Sequence, residues 1–97
     1  MIARGTRPTG CGGPLLALWH DARGEWDQAH ACVQTDSGPG SCWAHAYLHR
    51  KEGDVANAGH WYARAGRRPP ATSLAAEWET IVRALLARGQ PNRATDA

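Results

Sequence analysis

Shifted by 29 residues, the chain lies over itself. LLALWHDARGEWDQAH, from Leu15, aligns with AHAYLHRKEGDVANAG, from Ala44, with four identities in sixteen positions: Ala17/Ala46, His20/His49, Gly24/Gly53 and Ala29/Ala58. Glu25 over Asp54 and Gln28 over Asn57 add chemical likeness. A duplicated unit of this length fits two short helices, and such a unit cannot bury its apolar side alone. It must stack on its copy.

Gly and Pro mark where the helices stop. The first helix is predicted from Pro14 to Arg23, stopped by Gly24, and the second from Glu25 to Thr35. After the loop TDSGPG, Ser41 is the expected N-cap of a third helix reaching Glu52 and stopped by Gly53. Asp54 caps a fourth through Arg64, stopped by Gly66, and Thr72 or Ser73 caps a fifth to Arg88, ended by Gly89. In that last helix Leu74, Trp78, Ile81 and Leu85 form one apolar stripe that Val82 and Leu86 widen, while Glu79 and Arg83 pair on the other side. No segment alternates with period two. The predicted class is all-α: about five helices in one domain over 14–89, as hairpins 14–35 and 41–66 with a capping helix over 72–88. Residues 1–13 are expected to be a disordered lead-in and 90–97 a frayed tail.

The core has unusual material to work with. Among 97 residues are seven Leu, two Ile, three Val and no Phe, against 18 Ala, five Trp and two Tyr. Small Ala lets helices approach closely, so the large rings must fill the remaining space. A net charge of +2 is too mild for a nucleic-acid or membrane partner, and Arg64, Arg67 and Arg68 read as a solvated helix end. Cys11, Cys32 and Cys42 are odd in number and lack CxxC spacing, which implies reduced thiols and a cytoplasmic setting. MIARGTRPTGCGGP has no apolar run of a secretory leader, and no stretch is long enough to span a bilayer.

GDVANAGHWYARAGRRPP resembles the second half of a tetratricopeptide repeat: Gly53-Asp54 at the turn, Ala58 at the helix contact, then Tyr62, Ala65 and Pro70. GEWDQAHACVQ is a weaker copy retaining Gly24 and Ala29. The likeness covers about half the chain. It departs in the third helix, where Cys42, His45 and His49 stand at positions that family fills with large apolar residues, and 29 is shorter than its usual period. The blocks WHDARG, HAYLHRKEGD and WYARAG also resemble a family of short bacterial proteins with no assigned activity. The resemblance implies stacked helical hairpins and a binding role, and transfers no catalytic residue.

Candidate site residues are the imidazoles and indoles. His20 and His49 each stand four residues before a helix-ending Gly, where a His meets the negative helix end and can donate to a free carbonyl. In a second reading the two equivalent imidazoles converge on a pocket. Cys42, His45 and His49 are spaced to share one helical face, the geometry of a partial zinc site that His20 or His30 would have to complete. A Cys42–His45 nucleophile pair lacks a marked orienting group or oxyanion pocket. Asp21 is poorly placed to orient His20, and Glu25 and Asp27 suit a helix start. Of Trp19, Trp26, Trp43, Tyr47, Trp61 and Tyr62, the neighbours Trp61 and Tyr62 must diverge, one to the core and one to the rim. Buried indole N–H groups are expected to find His or Asp acceptors. Where the rings stay open between hairpins, the cleft is Trp19, His20, His45, His49, Trp61 and Tyr62.

Two functions are compatible with these residues. One is a non-enzymatic module, monomeric or weakly dimeric, that binds a protein or peptide and needs no cofactor. The other is a small metal- or ligand-binding protein, conceivably an enzyme, with zinc on Cys42, His45 and His49 together with His20.

Overall fold

The computed structural model describes residues 13–88. Five helices follow in order: α1 (Gly13–Ala22), α2 (Trp26–Val33), α3 (Pro39–Glu52), α4 (Val55–Arg64) and α5 (Leu74–Arg88). The fold is all-α, with no strand among the described residues. The expected lead-in, apart from Gly13, the expected tail, Cys11 and the Gly89 stop lie outside them.

Turn chemistry places the boundaries. Gly24, Gly53 and Gly66 have φ of 78°, 89° and 73°, the left-handed region that costs Gly least. At each turn two backbone N–H groups fold back onto the helix: Gly24 to Asp21 and Glu25 to His20; Gly53 to Arg50 and Asp54 to His49; Gly66 to Ala63 and Arg67 to Tyr62. These are Schellman closures. Asp54 accepts from the Asn57 N–H and Ser73 from the Ala76 N–H, as capping requires.

The boundaries of the first three helices shift from expectation. α1 runs Gly13–Ala22 and α2 ends at Val33. α3 begins at Pro39, with Gly38 as an extended N-cap. Proline's fixed φ suits the first helical position and it has no N–H to leave orphaned. Ser41 therefore lies inside the helix, and its hydroxyl donates to Asp36 Oδ2 at 2.6 Å instead of capping.

α3 is the centre of the molecule. α1, α2, α4 and α5 all pack on it, α1 also packs with α2, and α5 reaches α1. Ten consecutive residues, Gly40 to His49, are buried. A helix enclosed on all sides needs no apolar stripe, which is why its His and Tyr can point inward. In α5, Ile81 and Val82 are buried, while Leu74, Trp78, Leu85 and Leu86 are half-buried against the same core.

The indoles do not use the expected acceptors. Trp26 Nε1 donates to the Leu48 carbonyl at 2.9 Å, Trp78 Nε1 to the Leu18 carbonyl at 3.0 Å and Trp43 Nε1 to Glu77 Oε2 at 3.2 Å. Two backbone carbonyls and one carboxylate take the place of the imidazoles as acceptors. Deleting residues 72–97 removes Ile81 from the core and Glu77 from its three donors. The expected result is a chain with no cooperative thermal transition by circular dichroism, and a sharp melt would contradict the role given to α5.

Candidate metal centre in a groove of imidazoles and indoles

α2 and α4 both lie on α3, and the side chains between them are mostly rings. His45 and His49, one turn apart on α3, share a face. His30 reaches them from α2. One ring nitrogen from each of His30, His45 and His49 lies within 4.8 Å of the others. His45 Nε2 is 3.0 Å from His30 Nε2, a pair in which one ring donates and the other accepts.

Flat contacts hold the rings in place. Trp26 stacks on His30 with centroids 4.9 Å apart and planes 9° from parallel. Trp61 stacks on His45 at 3.9 Å and 16°, and His45 on His49 at 4.9 Å and 27°. His49 is fixed from its far side, where Nδ1 lies 2.7 Å from Glu52 Oε2. A carboxylate only accepts, so Nδ1 carries the proton and the Nε2 lone pair is left for another partner. A carboxylate behind an imidazole is also the usual way a metal-binding His is oriented.

Burial and neighbouring imidazoles favour the neutral form of His45 and His30. Burial, then the nearby His30, His49 and His60, pushes the His45 imidazole down to about 4. Burial, then His49, also lowers His30. Neutral imidazole is the ligand form. His45 Nδ1 is buried without a hydrogen-bond partner. An unsatisfied buried polar atom costs about 1–3 kcal/mol and calls for an explanation beyond packing.

The depressed His45 value has a consequence for the metal-free chain. Between about 4 and the ordinary 6.5, the unfolded chain binds a proton at this residue that the folded chain does not, so stability rises with pH there. Acidifying from 6.5 toward 4 is expected to remove on the order of 3 kcal/mol through His45, with no further loss from it at lower pH. Urea titrations at stepped pH measure this, and a flat profile across that window would contradict a buried neutral His45.

The site differs from the expected one. Cys42 is buried, but its thiol donates to the Ser37 carbonyl at 3.6 Å and is absent from the ligand set. His20 is also absent: its Nδ1 lies 2.7 Å from Glu25 Oε1, a contact that holds the Glu25 carboxyl below its ordinary value. The Schellman bonds already satisfy the carbonyls at the helix ends, so His20 and His49 turn to carboxylates rather than to free carbonyls. Trp19 stands edge-on to His20 under Arg23 and makes no ring contact with the three clustered imidazoles. Tyr62 goes to the core and Trp61 to the groove, the divergence expected of neighbours. The expected cleft thus loses Trp19, His20 and Tyr62 and gains His30 and Trp26. Glu52, three residues after His49, was within reach of the spacing argument.

The other buried polar groups serve the fold. Glu77, 2% exposed, accepts from Tyr62 Oη at 2.6 Å, Arg50 Nη1 at 2.8 Å and Trp43 Nε1 at 3.2 Å. Arg50 also donates to the Thr72 carbonyl. Asp21, buried on α1, accepts from Tyr47 Oη at 3.0 Å and Lys51 Nζ at 2.8 Å. Burial, then the adjacent carboxylates, raises both tyrosines above the ordinary range and keeps them as donors.

No helix among the described residues is long and apolar enough to cross a membrane. Comparison with family models, curated proteins and solved structures finds no match to this chain.

Proposed function

We propose that this chain is a small non-enzymatic protein that binds one divalent transition-metal ion on His30, His45 and His49. The observation that carries this reading is the convergence of three imidazoles, one of them backed by the Glu52 carboxylate. Three nitrogen donors, with no thiolate or carboxylate directly on the ion, suit zinc, copper(II) or nickel. His30 comes from the first helix pair and His45 and His49 from the second, so the ion ties the pairs together. Those pairs, with glycine-closed turns, support a tetratricopeptide-like arrangement of helical hairpins.

A peptide-docking module is the weaker reading. Among the described residues Val55, 77% exposed, is the exposed large hydrophobic side chain, and docking faces carry larger apolar patches than that. A monomer in a reducing compartment is part of the proposal, in keeping with an odd number of cysteines that lack CxxC spacing.

The test is calorimetric titration of zinc into metal-free protein that carries no polyhistidine tag. One zinc per chain is the expected result. At a free concentration a hundredfold above the dissociation constant, zinc should add about 2.7 kcal/mol of stability, a rise of about 10–20 °C in the thermal midpoint. Absence of binding heat together with an unmoved midpoint would overturn the proposal.

A further inference from the structure

Three protein donors are one fewer than a tetrahedral ion takes. No fourth His, Cys, Asp or Glu among the described residues joins His30, His45 and His49. The nearby candidates are committed elsewhere: the Cys42 thiol to the Ser37 carbonyl, His20 to Glu25, and Glu52 to the Nδ1 side of His49. The described side chains therefore leave the fourth position to another ligand.

The α4 edge of the groove gives that ligand its charge. Trp61 lies flat on His45, and the Arg64 guanidinium lies over the outer face of Trp61, 5.0 Å from its centroid. His49, His45, Trp61 and Arg64 form one continuous stack from the buried helix to the surface. Arg64 is exposed and forms no ion pair among the described residues. His60, also exposed, stands edge-on to Trp61 at 5.2 Å. Against these stand three exposed carboxylates: Glu52 and Asp27, which act on His30, and Asp54, which lies within 4.8 Å of His49 and Glu52. A dication held by the imidazoles would offset the carboxylates around it, and Arg64 keeps the α4 rim locally positive.

We infer that the bound metal takes a small oxyanion as its fourth ligand, entering over the Trp61–Arg64 edge of the groove. This rests on the metal-binding reading. In such a centre the oxyanion replaces a water molecule on the ion, and one of its oxygens supplies the new bond. Arg64 attracts the incoming charge and can swing from Trp61 to meet it, since an exposed guanidinium on a flexible stem presents several N–H donors.

The experiment uses the full chain loaded with cobalt(II), whose visible absorption reports its coordination. Acetate and inorganic phosphate are titrated separately, which distinguishes a carboxylate from a phosphate ligand. The expected result is a saturable change in the cobalt bands with at least one of them. Arg64→Gln should weaken that anion about fivefold while leaving cobalt affinity and circular dichroism unchanged, the worth of an exposed charge pair near 1 kcal/mol. Cobalt bound one per chain with bands that neither anion moves would overturn the inference and leave the metal site standing. An Arg64→Gln titration matching the unsubstituted chain would overturn the role of that edge. Failure to bind cobalt at all would overturn the metal reading itself.

Discussion

Glu77→Ala is expected to destabilise the fold by about 3–5 kcal/mol, the typical cost of removing one partner from a buried ionic network. Three donors lose their acceptor together: the Arg50 guanidinium, the Tyr62 hydroxyl and the Trp43 indole N–H. They belong to α3 and α4, so the loss loosens the attachment of α5 to both. Such a loss rivals the whole stability of a small domain, so the variant should melt far below the parent or lack a cooperative transition. Glu79→Ala is the internal control. Glu79 is exposed, its contact with Arg83 is 3.8 Å, and its removal should change stability by no more than about 0.5 kcal/mol. Urea denaturation of the two variants side by side checks both. A Glu77→Ala loss as small as that of Glu79→Ala would show that the network does not hold the helices together.

The second large effect concerns the imidazoles. Removing the outer partner of a metal-binding His typically costs 10–100-fold in affinity, so Glu52→Gln should weaken zinc by about tenfold. Removing a ligand costs more. His45→Gln and His49→Gln should each weaken zinc by more than about a hundredfold. Stability of the metal-free chain should move the other way or hardly at all. His45 is 3% exposed, with one nitrogen unpaired and the other against His30, so its ring contributes packing more than polar satisfaction. A change within about 1 kcal/mol is expected at neutral pH. The discriminating outcome is the combination. Lost affinity with kept stability supports a site, whereas lost stability with unchanged affinity would reduce the cluster to a polar part of the core.

The turns were legible because each rests on a local rule. Gly24, Gly53 and Gly66 end helices through a backbone conformation that other residues rarely adopt, and Asp54 and Ser73 cap through their own side chains. The start of α3 was ambiguous because Pro39 and Ser41 both signal a first turn, and proline's fixed φ prevailed. Two of the three imidazoles were legible from spacing alone, as His45 and His49 must share a face of one helix. His30 was one of two candidates, since its meeting with them depends on how α2 packs against α3. Cys42 had the right face but not the right partner, because the Ser37 carbonyl, just before the helix, takes its thiol. Glu77 is the plainest omission. It lies four residues before Ile81, inside the apolar stripe of α5, and a carboxylate there has to be satisfied by buried donors.

X-ray absorption at the zinc edge tests the three-imidazole centre most directly, on tag-free protein carrying one zinc per chain. The account predicts three imidazole nitrogens and one light atom at about 2.0–2.1 Å, with no sulfur. A scatterer at about 2.3 Å would place a cysteine thiolate on the ion, and a shell of oxygens without the outer scattering of imidazole rings would leave the cluster empty. Either result would contradict the assignment of His30, His45 and His49.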